Sequence, residues 1–497
     1  MAGQKKPKAP FQKNDRVKLT ITDISTDGSG IGKTDTGYTL FVKNAVPGDT
    51  VVAHITKPLS GYAFARTEQI LSLSQDRIEP VCPVSSTCGG CQLQQVSYER
   101  QLLFKEQLVR NNMIRIGGLS PEEADSIIQP IAGADRIYGY RNKLQIPVQQ
   151  DPVTGLAVAG FYAGRSHRII PVQECAVSMP AHSRIVSVIL DFMNRKGIPA
   201  YSEADGSGMI RHILVREGYH TGEVSVCIVS SVKKLPCEKE LAEEIVRSGY
   251  ETDSGDGRSG NRPGVVSISL NYNPEKTNVI LGKELRLLWG KNEMEDLIYP
   301  DPSILGESKA LSVPMRYAVS PMAFYQVNPL QTQKLYSYAL KFAGLTGQEN
   351  VWDLYCGAGT ISLFLARAAK KVTGIEIVPE AIEDAKKNAS LNNISNADFY
   401  CGAAEELLPQ VADDAAEAAD VVVVDPPRKG LDPVCIETII KAQPERIVYV
   451  SCDSSTLSRD IALFREGGYT PGIVQPVDMF PQTVHVETVV LMSRKDT

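Results

Sequence analysis

A chain of 497 residues, 43% hydrophobic and 22% charged, is too long for one ordinary core and too apolar for a disordered or fibrous protein; at about 100–200 residues per domain it predicts three domains. No run of about 18 apolar residues occurs, and MAGQKKPKAPFQKND at the start has no apolar stretch after its basic residues. Neither a membrane span nor a secretory signal is expected, and the cytoplasm is the expected compartment. The net charge of −6 hides a polarity: residues 1–75 hold ten Lys/Arg against six Asp/Glu, and residues 310–497 hold sixteen against twenty-three. A basic end can meet phosphate, or simply water.

In chain order, residues 15–75 read as short strands between Gly-rich turns: RVKLTITDI, YTLFVKN, TVVAHIT and ARTEQILSLS, broken by DGSGIG and VPGD. Such spacing predicts a small β-barrel. The segment resembles the TRAM domain, an OB-like RNA-binding barrel. Cys82, Cys88 and Cys91 follow within ten residues, and such a cluster points to metal or redox chemistry more than to disulfides. Residues 95–116 carry helical spacing and end on Gly117 and Gly118. Strands are expected within 137–175, a helix at 180–196, and alternating strands within 209–232 and 264–290. The polar, Gly-rich ETDSGDGRSGNRPG (251–264) reads as an exposed loop. From about residue 317 apolar strands alternate with helices: NVWDLYC, GTISLFLARAA, KVTGIEI, PEAIEDAKKNASLN, DFYCG, DVVVVDPP and RIVYVSC. This alternation predicts a doubly wound, mainly parallel sheet with a ligand crevice at the strand C-termini.

DLYCGAGTIS lies where a strand becomes a helix. Gly357 and Gly359 let the backbone approach a ligand, and Glu376 ends the next strand, seventeen residues after Gly359. An acid there can accept from both ribose hydroxyls. The same spacing serves NAD, but Ser362 stands where a dinucleotide loop needs its last Gly, and Asp425-Pro426-Pro427 follows on a later strand. Both features favour S-adenosylmethionine. RIVYVSCD places Cys452 at the end of an apolar strand and the start of a helix. A lowered thiol pKa is expected there.

SPMAFYQVNP (320–329), DLYCGAG (353–359), GIEI (374–377), DPPRKG (425–430), VSCD (450–453) and FPQTVHVETV (480–489) together resemble the RNA uracil-5-methyltransferase family. The resemblance spans nearly the whole chain. It implies S-adenosylmethionine-dependent methylation of a uridine, with Cys452 as nucleophile and Glu487 as base, and cofactor contacts at Gln326, Tyr355, Glu376 and Asp425, beside the Gly357 and Gly359 already read from the loop. Carbon 5 of uracil is a poor nucleophile; thiolate addition at carbon 6 makes it one, and a base must later remove its proton. Thr360 replaces an Asn found in several members, so that contact is not carried over. His485 is read as a structural neighbour of Glu487.

The resemblance also implies that Cys82, Cys88, Cys91 and Cys175 hold a [4Fe–4S] cluster. Zinc is the competing reading, since four thiolates suit either metal. YGYRNKLQI and GMIRHILVRE resemble central segments of the family, with Arg141, Lys143, Arg211 and Arg216 as candidate phosphate contacts. The organisation expected is a TRAM-like barrel at 1–76, a central mainly β iron–sulfur and RNA-binding domain at 77–310, and a Rossmann-like class I methyltransferase at 311–497. The helix near 95–116 is expected to pack on the last of these. Barrel and cluster together favour 23S ribosomal RNA over transfer RNA, and a monomer is expected. The rivals are an adenine-N6 or cytosine-5 methyltransferase and a non-catalytic RNA-binding or chaperone module. The first has no use for Cys452, the second usually carries a different Cys arrangement, and the intact Gln326, Glu376, Cys452 and Glu487 speak against the third.

Overall fold

Val17, Leu19 and Ile21 alternate with exposed residues along Arg16–Ile24, which puts every second side chain on one face. The same alternation recurs in Thr39–Lys43 and Thr50–Pro58. With Gly30–Lys33 and Tyr62–Ser72 these strands close a barrel in the spatial order first, second, third, fifth, fourth, and closure removes the unpaired edges. Leu40, Val42, Val51, Ala53, Ile55 and Ala63 are fully buried inside it. The computed structural model describes residues 9–164, 166, 168–248, 264–306, 313–412 and 418–495. Most of the loop expected at 251–264 lies outside them. Among the described residues no helix is long and apolar enough to cross a membrane.

The chain forms two compact units. The first comprises the residues up to Gln107, with Tyr162–Ile170 and Phe480–His485; the second comprises the remainder. In the first unit, the side chain of Gln101 donates to the carbonyls of Leu93 and Val96 and to Gln482 Oε1, while Gln482 N–H donates back to Gln101 Oε1 at 2.9 Å. Lys105 Nζ donates to Phe480 O.

The second unit holds two sheets. One is mixed and includes, in spatial order, Glu284–Gly290, Gly264–Tyr272, Glu223–Ser230, Ile210–Glu217, Lys143–Gln150 and Ala157–Tyr162. One of its faces is apolar: Leu144, Ile146, Ile213, Val215 and Val226 pack with Ile185, Ile189 and Phe192 of the helix Pro180–Lys196. The alternation expected in Ile210–Glu217 is not a wet–dry alternation, because all eight residues are buried.

The other sheet runs in the order Ala397–Cys401, Lys371–Glu376, Asn350–Leu354, Val421–Val424, Arg446–Ser451, Glu487–Arg494, Tyr469–Val477. The first five strands are parallel; Glu487–Arg494 runs antiparallel to Arg446–Ser451 on one side and to Tyr469–Val477 on the other. Trp352, Leu354, Val422, Val424 and Tyr449 form its core with Val109 and Met113 from the C-terminal part of the helix Tyr98–Arg115.

Candidate active site

The register of the second sheet brings the chemistry to one edge. Leu354 pairs with Ile375 and with Val424, and Val424 pairs with Tyr449. The residues that follow these strands therefore share the C-terminal edge: Tyr355, Asp425 and Cys452, with Glu376 as the last residue of its own strand. Glu487 reaches the same edge from the opposite direction, because its strand is antiparallel. Val450 pairs with Val489 and Ser451 with Thr488, so the next step across is Cys452 beside Glu487. This is the crevice position that parallel α/β sheets use for ligands.

The glycine loop is built by backbone constraint. Gly359 has φ +75°, and a Cβ on it would sit 3.1 Å from the Ala385 Cβ and 3.2 Å from the Phe399 ring. Gly357 has φ +53°, and a Cβ on it would meet nothing within 4 Å. Its requirement is conformational rather than steric. Tyr355 is a non-glycine residue with φ +64°, a strain typical of functional turns. Glu376 does not wait for a ribose alone: its carboxylate accepts from Gly357 N at 3.2 Å and from Val378 N at 2.9 Å, and so stiffens the loop. Beneath the loop, Asp353 is fully buried and accepts from Ser362 Oγ. Burial, and then the neighbouring acids, push its carboxyl up to about 7 despite that bond. Gln326 is buried, and its carbonyl accepts from Asn142 Nδ2 at 3.1 Å.

Cys452 is half-buried and precedes the helix Ser454–Glu466, whose N-cap Asp453 accepts from Ser455 N and Thr456 N. The lowered pKa expected from a helix N-terminus is overturned. Burial, then Glu487, then Asp425 push the thiol up to about 11, with Arg428 pulling the other way. The helix dipole is worth about 0.3–1 kcal/mol, too little to offset removal from water beside two acids. Those acids respond in kind. Burial and then Asp425 push Glu487 up to about 8, again with Arg428 opposing, and burial pushes Asp425 up to about 7. Arg428 is the residue that sequence reasoning missed as a functional group. It is exposed and acts on both Cys452 and Glu487. The signal was its place in DPPRKG, three residues after Asp425. Its loop is held by Asp460, which accepts from Leu431 N, from Tyr449 Oη and from the Arg459 guanidinium.

These raised carboxyls give a stability prediction. Between about pH 4, where carboxyls titrate in an unfolded chain, and the values of about 7, 7 and 8 for Asp353, Asp425 and Glu487, the folded protein binds more protons than the unfolded chain. Stability therefore falls as pH rises through that window, by up to about 1.4 kcal/mol per unit per group. Thermal unfolding across the window should show this fall, and Asp425→Asn with Glu487→Gln should flatten it. A native profile that rises with pH would contradict the burial account.

The other expected site residues are distributed differently. Cys82, Cys88 and Cys91 belong to the first unit and Cys175 to the second; all four are half-buried. Among the described residues no three of His, Cys, Asp and Glu are grouped to hold a metal ion. Cys82 N donates to Gln94 Oε1, and Cys88 Sγ accepts from Gly90 N at 3.4 Å. Of the expected phosphate contacts, Arg141 and Lys143 are half-buried. Arg211 is buried; its Nη1 donates to the carbonyls of Asn273 and Glu275 and its guanidinium lies over the Tyr201 ring at 4.5 Å. These bonds tie Arg211 to the fold. Arg216 is also buried.

A left-handed glycine turn at the C-terminal edge of a mainly parallel sheet, with an acid ending the next strand, is the arrangement of a class I S-adenosylmethionine-dependent methyltransferase. Residues 308–495 match the model of the tRNA (uracil-5-)-methyltransferase family, and residues 10–67 that of the TRAM domain. Relatives named as RNA methyltransferases include one from Halalkalibacterium halodurans, 43% identical over 99% of this chain and 100% of its own length. Another, from Listeria innocua, is 44% identical over 98% and 99%. The solved tRNA (uracil-54, C5)-methyltransferase of Pyrococcus abyssi, in complex with S-adenosyl-L-homocysteine, matches with a TM-score of 0.69 and 25% identity over 96% of this chain and 100% of that one. The chain belongs to the RNA uracil-5-methyltransferase family and carries a TRAM domain.

Proposed function

We propose that this enzyme methylates carbon 5 of a uridine in RNA through a covalent adduct to Cys452. The adjacency of Cys452 and Glu487 across two antiparallel strands, with Arg428 acting on both, carries the reading. S-adenosylmethionine supplies an electrophilic methyl group when bound. Gln326, Tyr355, Gly357, Gly359, Glu376 and Asp425 are the residues proposed to hold it. The Cys452 sulfur, as thiolate, adds to carbon 6 of the base and drives electron density onto carbon 5, which takes the methyl group. Glu487, as carboxylate, then removes the proton from carbon 5; the 5,6 double bond reforms and the sulfur leaves as thiolate. Arg428 lowers the cost of negative charge on both groups. Because Glu487 sits at about 8, resolution of the adduct should quicken as pH rises toward that value and level off above it.

The barrel offers the RNA a surface. Phe41, Tyr62 and Phe64 stand mutually within 5.5–5.7 Å between their ring centroids. Phe41 pairs with Phe64, and Lys43 with Arg66 two residues further along the same two strands. Rings beside cations suit unstacked bases. Tyr62→Ala should weaken RNA binding by about 1–3 kcal/mol, the worth of one stacked base, in a direct titration. Unchanged affinity would remove this face from the interface.

The expected RNA is 23S ribosomal RNA. The Pyrococcus abyssi neighbour, which acts on tRNA and matches nearly the full chain, favours transfer RNA as the second reading. Mapping 5-methyluridine in both RNAs with and without the gene separates them. The [4Fe–4S] proposal rests on the Cys82, Cys88, Cys91 and Cys175 set alone. Anaerobically purified protein should contain about four irons per chain, the content of one such cluster. Stoichiometric zinc would replace iron in the proposal, and absence of both would end it.

A further inference from the structure

Arg428 and Lys429 are the two central residues of a turn that Gly430 N closes on Pro427 O at 2.8 Å. Both are exposed, yet the return leg of the turn is tied down on every side. Arg459 Nη2 donates to Lys429 O at 3.0 Å and to Leu431 O at 3.4 Å. Leu431 N donates to Asp460 Oδ2 at 2.9 Å. Between these bonds lies Gly430, with φ +77°; a Cβ on it would stand 2.5 Å from Arg459 Nη2 and 2.6 Å from Asp460 Oδ2. Asp460 is fully buried. Its other oxygen accepts from Arg459 Nε at 2.8 Å and from Arg459 Nη2 at 2.7 Å, and Tyr449 Oη adds a bond of 2.7 Å to Oδ2. Arg459 and Asp460 belong to the helix that begins just after Cys452, and Tyr449 to the strand that ends just before it. The clamp on the Arg428 turn is thus built from the two elements that hold the thiol. A buried carboxylate is costly unless its bonds are met, and here they go to that turn and to the residue that grips it.

We propose that Arg459 and Asp460 are positioning residues: they fix the turn Pro427–Gly430 so that the Arg428 guanidinium stays within reach of Cys452 and Glu487. Of the charges that act on Cys452, Glu487 and Asp425 disfavour the thiolate and Arg428 favours it. An exposed guanidinium on a turn free to swing would move into solvent, where screening removes its effect. Asp460→Asn turns one accepting oxygen into a donor that faces the Arg459 N–H groups, so Arg459 loses its seat and the turn its grip. The catalytic consequence rests on Cys452 being the nucleophile; the clamp itself does not.

The test is the rate at which iodoacetamide alkylates Cys452 in the full-length protein, read on the Cys452 peptide by mass spectrometry. Below the thiol's value of about 11 the rate follows the thiolate fraction. Arg459→Met should slow alkylation about three- to tenfold at each pH, a rise of about half to one unit in the thiol, and Arg428→Gln should do the same. The double variant should be no slower than Arg428→Gln alone, because both changes act through one guanidinium. Single-turnover methyl transfer should fall by a similar factor with S-adenosylmethionine affinity unchanged. Asp460→Asn, checked for native circular dichroism, should match Arg459→Met; Arg459→Met decides alone if that variant does not fold. An unchanged rate in Arg459→Met overturns the proposal. So does faster alkylation, the mark of a site merely loosened, and so do single losses that multiply in the double variant. If alkylation responds as expected but Cys452→Ala still methylates RNA, the reaction assignment fails and the positioning role stands.

Discussion

A Cys452→Ala variant is expected to lose methyl transfer by about four to six orders of magnitude, the range seen when a covalent nucleophile is removed. The size follows from the chemistry: without sulfur at carbon 6, carbon 5 has no carbanion character to accept a methyl group. Cofactor affinity should stay near native, because the thiol follows the strand Arg446–Ser451, while the glycine loop follows Asn350–Leu354, two strands away. Burial, Glu487 and Asp425 disfavour only the thiolate and keep the resting group a neutral thiol, so the variant should stay near native stability. Calorimetric titration with S-adenosylmethionine and single-turnover methylation measure the two quantities separately. Residual transfer within tenfold of native would contradict the covalent route.

Glu487→Gln is expected to do something different. Addition and methyl transfer need no base at carbon 5, so both should proceed, while proton removal stalls. Turnover should fall by about two to four orders of magnitude, and a protein–RNA adduct should survive denaturing electrophoresis. The substitution is close to isosteric and removes a buried acid whose charged form is disfavoured, so folding should not suffer. Normal turnover with no trapped species would assign the proton to another group, with Asp425, half-buried and pushed up to about 7, as the next to examine.

Much of the second sheet was legible in the chain because its strands are apolar on both faces and end in polar, Gly-rich or Pro-rich turns: NVWDLYC becomes Asn350–Leu354 and DVVVVDPP becomes Val421–Val424. The helix expected at 180–196 forms at Pro180–Lys196, closed by Gly197 with φ +65°. Cys452 could be found because an apolar strand stops there and a helix starts. Three properties were not legible. The thiol's raised pKa depends on Asp425 and Glu487, which are 27 residues before and 35 after it in the chain and become neighbours only through strand order. The burial of Arg216 depends on a contact with Ala323, 107 residues away, so IRHILVRE read as a strand with one wet face. Spacing brought together only Cys82, Cys88 and Cys91; Cys175, 84 residues after Cys91, entered the set through the resemblance alone, because no local pattern ties it to them.

The central claim is that Cys452 becomes covalently bonded to the target base. Incubating the enzyme and S-adenosylmethionine with RNA carrying 5-fluorouridine at the modified position tests it most directly, because fluorine cannot be removed as a proton and the adduct cannot resolve. Digestion and peptide mass spectrometry should find a methylated fluorouridine nucleotide on Cys452 in the native protein and none in Cys452→Ala. An enzyme that methylates ordinary uridine RNA yet forms no adduct with the fluorinated substrate, or forms it on another residue, would contradict the account.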